Sequence, residues 1–238
     1  MKAVILAGGK GISLAPYTKI IPKPLVPIGD MPILEVMLYQ LKQVGVDEVI
    51  LAIDHLGYLL QAAFGDGSRY GLRICYSMED RPLGTAGALA LIKGLDETFL
   101  VANGDILTTL GFSDLLQHHR LQEAAVTIAM CKRKVDINFG IPQLNSNNEV
   151  VGYVEKPFYD FQVSMGIYIF EPRVLNYIVS GQYLDFPTLV LKLLKAKERV
   201  VSYLFDGYWK DLGRADDYEQ AIKDFDIMRT EFLGEGEK

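Results

Sequence analysis

The chain has 238 residues, of which 50% are hydrophobic, and a formal net charge of −6 at pH 7. A chain of this length buries about 70–75% of its unfolded surface, which is enough for one full-sized domain. The acidic balance argues against binding to nucleic acid or anionic membranes, because clustered Lys and Arg bind those polyanions. No stretch of the sequence resembles a membrane span or a secretory signal, so we expect a soluble, cytoplasmic protein.

The cysteines and histidines form no recognisable catalytic or metal-binding pattern. Cys75 and Cys131 each lie in an apolar, strand-like run, so we expect both to be small core residues. His118 and His119 point about 100° apart on a helix and cannot chelate one metal ion together. We expect these two histidines to lie on a solvated helical face, and His55 has no partner at a metal-binding spacing.

The first half of the sequence alternates short apolar strands with amphipathic helices. Strands are predicted at residues 4–7, 48–53, 72–76 and 99–102, and helices at residues 33–44, 56–64 and 84–93. The first of these helices has Asp30 and Pro32 at its start and Gly45 at its end, which are conventional start and stop signals. Strands that alternate with helices indicate a parallel sheet covered by helices on both faces.

The pattern changes at residue 126, where several strands follow one another with polar turns between them. Strands are predicted at residues 126–131, 140–144, 150–154, 163–170 and 200–204, and helices at residues 172–179, 186–196 and from 215 onward. No internal repeat or linker-like run separates the two halves. We therefore expect both halves to contribute strands to one sheet.

A glycine loop and a proline-flanked lysine lie near the start of the chain. The predicted strand at residues 4–7 leads directly into Gly8-Gly9-Lys10-Gly11. Such a loop is typical of phosphate binding, because glycine adopts positive φ and brings backbone N–H groups close to an anion. The same residues also fit an ordinary tight turn. Pro22-Lys23-Pro24-Leu25 follows and presents a cation on a stiff segment.

Two further motifs lie at predicted strand and helix ends. The segment Arg81-Pro82-Leu83-Gly84-Thr85-Ala86-Gly87-Ala88 puts small residues at a helix start, where free N–H groups would face a flat ligand. Alternatively, these small residues allow the helix to pack closely against a strand. Asn103-Gly104-Asp105 puts a carboxylate just past a strand end, which is the ligand side of an open α/β sheet.

These motifs, together with two later ones, resemble the signature of sugar-1-phosphate nucleotidyltransferases. That signature reads Gly-Gly-x-Gly-Thr-Arg-Leu-x-Pro-x-Thr followed by Pro-Lys-Pro-Leu. The later motifs are Val154-Glu155-Lys156-Pro157 and Tyr208-Trp209-Lys210-Asp211-Leu212-Gly213. The resemblance runs from residue 1 to about residue 225 and depends on the order of five motifs. It is closest to the mannose- and heptose-1-phosphate guanylyltransferases.

The resemblance implies the fold and the reaction of that family. The expected fold is α/β, a three-layer αβα, Rossmann-like nucleotide-diphospho-sugar transferase fold with a mostly parallel mixed sheet. A single domain would span residues 1–230, with a nucleotide-binding half at 1–125, a sugar-binding half at 126–230 and a flexible tail at 231–238. A nucleoside triphosphate and a sugar 1-phosphate would give a nucleotide-diphosphate sugar and pyrophosphate, with Mg²⁺ as cofactor.

The resemblance also assigns site residues. Asp105 and Asp211 would bind the metal ion, and Lys23 would complete the catalytic set. The positions that match nucleotide-binding ones are Leu6, Ala7, Gly8, Gly9, Lys10, Gly11, Glu79, Gly84 and Thr85. The positions that match sugar-phosphate-binding ones are Gly140, Glu155, Lys156, Ser164 and Gly166, with Ser164 where the family commonly has Asn.

Glu79 occupies the position that meets the nucleotide base in the family. A carboxylate only accepts hydrogen bonds, and guanine presents two adjacent donors, so guanylyl transfer is the leading hypothesis. Uridylyl, thymidylyl and cytidylyl transfer remain alternatives. Glu79 also fits an ordinary solvated surface acid.

The loop departs from the family at one place, where Ile12-Ser13 replaces Thr-Arg. The family's arginine grips the triphosphate, and a serine hydroxyl offers no charge. Either another cation substitutes, with Lys10 the nearest candidate, or turnover is impaired. The competing hypothesis is therefore a catalytically weak homologue that binds a nucleotide sugar and regulates a partner. The sequence leaves a homo-oligomer open.

Overall fold

The computed structural model describes residues 1–9, 18 and 20–234 of the chain. The strands in these residues are β1 (Lys2–Leu6), β2 (Pro27–Ile28), β3 (Met31–Pro32), β4 (Glu48–Ile53), β5 (Arg73–Met78), β6 (Phe99–Asn103), β7 (Ile106–Thr108), β8 (Val126–Asp136), β9 (Ile141–Leu144), β10 (Val150–Val154), β11 (Phe158–Phe170), β12 (Val200–Phe205) and β13 (Trp209–Asp211). The helices are α1 (Ile33–Gln43), α2 (Gly57–Phe64), α3 (Gly84–Gly87), α4 (Phe112–Gln122), α5 (Phe186–Lys195), α6 (Ala215–Ile227) and α7 (Arg229–Leu233). No described helix is both long and apolar enough to cross a bilayer.

Seven strands form the central sheet, in the order β12-β8-β11-β6-β1-β4-β5. Strand β11 is antiparallel to both of its neighbours, and every other pair in this sheet is parallel. Strand β1 lies between β4 and β6, with Val4 opposite Ile50 on one side and Val101 on the other. The predicted mostly parallel mixed sheet is confirmed, and both halves of the sequence contribute strands to it.

Both faces of the parallel strands are buried, so the core has two layers of apolar side chains. Val49, Leu51 and Ile53 of β4 pack into the cluster that contains the inner face of α1. Ile50 points to the other face and packs into the cluster that contains residues of α5. Burial on both faces explains why these strands are continuous apolar runs rather than alternating ones.

A third apolar cluster lies under α6 and α7 and corrects the predicted tail. Phe232 and Leu233 are each 1% exposed and pack with Phe225. The Gln40 side chain donates hydrogen bonds to the carbonyls of Thr108 (2.8 Å) and Phe232 (3.0 Å). The expectation of a flexible tail from residue 231 is therefore wrong for residues 231–233, and residues 235–238 lie outside the described residues.

The second half contains an exposed extension of the sheet, which we call the arm. It consists of residues 132–163, which include the outer parts of β8 and β11, strands β9 and β10, and the loops that join them. These parts of β8 and β11 pair with each other beyond the predicted strand ends, and β9 pairs with β10. Several large apolar side chains of the arm are about half exposed or more.

One histidine prediction is wrong. His119 is only 1% exposed, because the inner face of α4 lies against β8. Its Nδ1 lies 2.7 Å from Thr127 Oγ1 and its Nε2 lies 3.1 Å from Glu171 Oε1. Both ring nitrogens therefore have partners, and burial lowers the pKa of the imidazole. His118 Nε2 lies 3.1 Å from the Ser202 carbonyl oxygen.

Candidate active site

The candidate site lies at the carboxyl ends of β1 and β6, where the strand order reverses. The chain places β4 on one side of β1 and later places β6 on the other. Ligands of open α/β sheets bind in the crevice at such a switch point. The Gly104 N–H donates to the Leu6 carbonyl (3.0 Å), which joins the two strand ends at the crevice.

The structure brings Lys23, Asp105 and Asp211 together. Lys23 begins a 3₁₀ turn, and its Nζ lies 3.1 Å from Asp105 Oδ2. Strand β13 pairs antiparallel with β7 and puts Asp211 opposite Ile106, the residue that follows Asp105. The Leu212 N–H also donates to the Asp105 carbonyl at 2.8 Å. Two carboxylates over a hundred residues apart in sequence thus lie next to each other.

Gly213 keeps the space between these three charged groups open. A Cβ atom at this position would lie 2.5 Å from Lys23 Nζ and 2.9 Å from both Asp105 Oδ2 and Asp211 Oδ1. The Gly213 N–H donates to Asp211 Oδ1 at 3.0 Å. The three groups therefore line one small space, and any larger residue at position 213 would fill it.

The electrostatics of this space favour a bound cation. Burial raises the pKa of the Asp211 carboxyl, and the negative charge of Asp105 raises it further, against the lowering effect of the Gly213 N–H and Lys23. Two carboxylates face one ammonium group. Mg²⁺ takes carboxylate and phosphate oxygens and keeps several waters, so two aspartates suffice for it. The donor set fits Mg²⁺, although no cluster of three or more candidate ligands occurs within residues 1–9, 18 and 20–234.

The described part of the glycine loop is held by an acidic residue that sequence analysis missed. Gly9 has φ of 134° and donates its N–H to Asp54 Oδ2 at 2.9 Å. This amide is therefore engaged rather than free for a phosphate. Asp54 follows β4 as Asp105 follows β6, and that position at a strand end was the available signal. Leu6, Ala7 and Gly8 lead into the loop, and Lys10 and Gly11 lie outside the described residues.

Glu79 lies one residue past the end of β5 and is held in place. It is half-buried, and its Oε2 accepts the Leu83 N–H at 2.8 Å. Burial raises the pKa of its carboxyl, and the nearby charge of Asp54 adds to the effect. The alternative of an ordinary solvated acid is therefore wrong. Because Oε2 accepts the hydrogen bond from the Leu83 N–H, Oε1 is the oxygen that could accept one from a ligand.

The small residues after Glu79 serve close packing. Cβ atoms at Gly84 and Gly87 would lie 2.6 Å and 2.7 Å from the backbone oxygens of residues 184 and 182. The N–H groups of residues 86 and 87 both donate to the Leu184 carbonyl. The expectation that these amides are free is therefore wrong. Thr85 is exposed, and its Oγ1 accepts the Phe186 N–H at 2.8 Å.

On the sugar side, the irregular part of β11 lies against the end of β6. Gly166 has φ of 73°, and a Cβ atom there would lie 2.5 Å from the Asn103 side-chain nitrogen. Ser164 donates its hydroxyl to Tyr168 at 3.1 Å. Trp209 donates its ring N–H to the Met165 carbonyl at 3.0 Å. Residues 164–166 are thus tied to β13 and contact Asn103, which lies two residues before Asp105 in the sequence.

The other three sugar-side residues lie on the arm. Gly140 sits beneath the Tyr153 side chain, which leaves no room for a Cβ atom. Glu155 and Lys156 are exposed between β10 and β11, and Lys156 has φ of 44°. No side-chain hydrogen bond or ion pair joins either of them to another described residue. The structure therefore does not bring them against Lys23, Asp105 or Asp211.

Comparison with protein families decides what kind of chain carries this site. The family model described as "Nucleotidyl transferase" matches residues 2–226. The chain belongs to the nucleotidyl transferase family. The resemblance to sugar-1-phosphate nucleotidyltransferases is thereby confirmed.

Individual nucleotidyl transferases show how far the similarity extends. The chain is 35% identical to a UTP–glucose-1-phosphate uridylyltransferase of Synechocystis sp., over 94% of this chain and 63% of that protein. It is 34% identical to a mannose-1-phosphate guanylyltransferase of Mycobacterium tuberculosis, over 93% of this chain and 64% of that protein. The chain thus spans less than two thirds of the length of these relatives. The crystal structure of HddC from Yersinia pseudotuberculosis matches with a TM-score of 0.70 and 26% identity, over 94% of this chain and 99% of that one.

Proposed function

We propose that this nucleotidyl transferase moves a nucleotidyl group, GMP by preference, from a nucleoside triphosphate to a sugar 1-phosphate. The products would be a nucleotide-diphosphate sugar and pyrophosphate. The observation that carries the proposal is the convergence of Lys23, Asp105 and Asp211 at the switch point of the sheet. The names of the relatives, which cover uridylyl and guanylyl transfer, support the same reaction class. We further propose a cytoplasmic location, and the oligomeric state stays open.

The main catalytic tasks would be positioning and charge neutralisation. By analogy with phosphoamino acids, the second pKa of a sugar phosphate is roughly 6. The phosphate is therefore already ionised near pH 7, and its attack needs no general base. Asp105 and Asp211 would hold Mg²⁺, which neutralises charge on phosphate oxygens when it is bound. Lys23, released from Asp105, would bind a phosphate oxygen of the triphosphate. Lys156 would aim the attacking phosphate from the arm.

The preference for guanine rests on the acids at the ends of β4 and β5. Glu79 is fixed through Oε2 and keeps Oε1 for a base, and Asp54 is close enough to raise the pKa of Glu79. Guanine offers a ring N–H and an adjacent amino group to such acceptors. Uracil and thymine present a single ring N–H between two carbonyl oxygens. A carboxylate would repel these two oxygens.

A panel of the common nucleoside triphosphates against several sugar 1-phosphates tests the proposal through pyrophosphate release. We expect release only with Mg²⁺ present and the highest kcat/KM with GTP. A chelator provides the control for the metal. Absence of release for every pair, with the protein folded, would contradict the proposed activity.

The second candidate function, a regulatory homologue that binds a nucleotide sugar, is favoured by two observations. The loop has Ser13 where the family has Arg, and the Gly9 amide is engaged by Asp54. Under this hypothesis a nucleotide sugar at a hundredfold excess over Kd raises the unfolding free energy by about 2.7 kcal/mol, without turnover. Robust pyrophosphate release would exclude it.

The loop substitution also gives a direct experiment. If Lys10 replaces the missing arginine, Lys10→Ala costs about 2.7–4 kcal/mol in kcat/KM, and Ser13→Arg recovers much of the loss. If Lys10→Ala is silent and Ser13→Arg gives no gain, the loop is not organised around a triphosphate. The binding role would then be the better account.

A further inference from the structure

The glycine loop leaves the central sheet directly over the side chain of Asp54. Strand β1 stays joined to β4 through the Ala7 N–H, which donates to the Ala52 carbonyl at 2.8 Å. At the next residue, Gly8, a Cβ atom would lie 3.6 Å from Asp54 Cβ. The Gly9 N–H then donates to Asp54 Oδ2 at 2.9 Å. The loop thus begins folded over this carboxylate.

Both oxygens of the Asp54 carboxylate accept backbone hydrogen bonds, which fixes its position. Oδ1 accepts the Leu56 N–H at 3.2 Å, an Asx turn just before α2. Oδ2 is the oxygen that accepts the Gly9 N–H. The backbone carbonyl of Asp54 also accepts the Gly57 N–H at 2.8 Å. The carboxylate is therefore an anchored part of the turn between β4 and α2.

The charge of Asp54 is not neutralised by a lysine or arginine within the described part of the chain. His55 Nδ1 lies 3.5 Å from Asp54 Oδ1, but the His55 side chain is 68% exposed, so solvent screens this contact. The charge of Asp54 also contributes to the raised pKa of the Glu79 carboxyl. A negative charge therefore stands where the glycine loop meets the side of the site proposed for the base.

The Asp54 carboxylate takes the place that the proposed function gives to a phosphate oxygen. Both groups are anionic oxygens that accept a backbone N–H, and the Gly9 N–H is already used in full by Asp54. Gly9 is exposed, and a Cβ atom on it would meet no described atom within 4 Å, so a ligand can approach this residue. An incoming triphosphate would therefore meet an occupied amide and a like charge.

We propose that Asp54 is an autoinhibitory residue, whose carboxylate holds the Gly9 amide as an internal substitute for phosphate until a nucleoside triphosphate displaces it. The inference rests on the proposed function, because it takes the triphosphate as the ligand of the loop. Lys23 gives a parallel, since it is also paired with a carboxylate of the chain, that of Asp105. Asp54 thus lowers the affinity for nucleotide.

Asp54→Ser tests the proposal, because serine removes the charge and still offers an oxygen to the Leu56 N–H in the same kind of turn. Its single oxygen, one bond closer to the backbone, does not span both amides. Calorimetric titration of the full chain uses GTP, UTP and pyrophosphate, each with Mg²⁺. We expect Kd to fall about tenfold for all three ligands. Guanosine, which has no phosphate, should bind as it does to the unsubstituted chain.

The matched control is Asp66→Ser, which removes the same charge from the same kind of turn elsewhere. Asp66 Oδ1 accepts the Ser68 N–H at 3.0 Å, and Asp66 is exposed beyond the far end of α2. Asp54→Ala is a second test variant, which leaves both amides without an acceptor. In steady-state turnover, either Asp54 variant should lower KM for the triphosphate without raising kcat, because the lost contact opposes ground state and transition state alike.

Each binding outcome decides the proposal. Tighter binding of the three phosphate ligands in both Asp54 variants, with guanosine binding and the Asp66→Ser variant unchanged, supports it. Equal tightening in Asp66→Ser shows a general effect of net charge and overturns it. Tighter binding of guanosine shows an effect on the base through Glu79 and also overturns it. Unchanged or weaker binding of the phosphate ligands in both Asp54 variants overturns it as well, and leaves Asp54 as a support of the loop.

Pyrophosphate release separates failure of this inference from failure of the proposed function. Turnover by the unsubstituted chain, together with unchanged triphosphate affinity in Asp54→Ser, overturns the inference alone. Absence of turnover for every substrate pair contradicts the proposed reaction, while the titrations still decide the role of Asp54. No binding of any phosphate ligand to the unsubstituted chain or to the Asp54 variants overturns both.

Discussion

The parallel strands and the arm hold the two sides of the candidate site in different ways. From Val49 to Ile53 the side chains of β4 are at most 4% exposed, whereas Phe158, Tyr159 and Phe161 of the arm are 47–55% exposed. Asp105 follows a strand of the buried sheet, but Lys156 lies on the arm. Segments with few buried contacts open locally at low free energy. The side that carries Asp105 and Asp211 is thus preorganised, while we expect the arm, the proposed sugar-phosphate side, to move.

The largest expected effects separate these two sides by kinetics. Asp105→Asn and Asp211→Asn would each remove a charged oxygen of the proposed metal site without changing volume, so we expect kcat to fall by at least about 10²–10³. Under the proposed function, Lys156→Ala would remove a contact to the incoming phosphate, so we expect mainly a rise in KM for the sugar phosphate, about tenfold. Steady-state pyrophosphate release measures both. Unchanged rates in either aspartate variant would remove that residue from the metal site.

Stability should separate the same two regions. Leu51→Ala leaves a cavity between packed layers, so we expect a loss of about 2–5 kcal/mol in the free energy of unfolding. Phe161→Ala removes a half-exposed ring from the arm, and we expect a change within about 0.5 kcal/mol. Urea denaturation measures both values. A loss of unfolding free energy in Phe161→Ala similar to that in Leu51→Ala would contradict this difference between the two regions, because it would mean that the arm is covered in solution.

The preference for a nucleotide base tests only the side of the site formed by the parallel strands, which carries Glu79. Glu79→Gln keeps an oxygen acceptor for the Leu83 N–H but replaces the other acceptor with a donor. We expect the ratio of kcat/KM for GTP to that for UTP to fall about tenfold, a change of roughly 1.4 kcal/mol. Asp80→Asn is the matched control, since Asp80 is the exposed neighbour. Equal effects of the two substitutions would show that Glu79 does not contact the base.

The sequence predicted the buried strands well because their apolar runs are local signals. The limits of the buried strand β4 agree with prediction at both ends. Close packing at residues 84–87 was one of the two sequence-based alternatives, but its partner, residues 182–184, was not predictable, since partners a hundred residues apart leave no local pattern. The same reason accounts for the errors at His119 and at residues 231–233, whose burial depends on distant elements. The resemblance named Asp105 and Asp211, but only the fold shows that they meet.

A last expected effect concerns the free energy of unfolding and comes from Asp211. Its pKa in the folded state is raised above the ordinary 3.8 by burial and by Asp105. The folded state therefore binds this proton more tightly than the unfolded state. Stability from this group is present at pH below 3.8 and is lost as the pH rises through the folded pKa. Near pH 7 the ionised Asp211 destabilises the metal-free protein.

Asp211→Asn should therefore stabilise the metal-free protein near pH 7, by about 0.5–2 kcal/mol, although we expect it to remove activity. The asparagine oxygen can still accept the Gly213 N–H. Asp105→Asn is the control, because it leaves Lys23 without its carboxylate partner and should give no such gain. Denaturation with chelator at pH 7 and at acidic pH measures the difference, which should shrink as the pH falls. A gain that persists when both carboxyls are protonated would show that like-charge repulsion is not its cause.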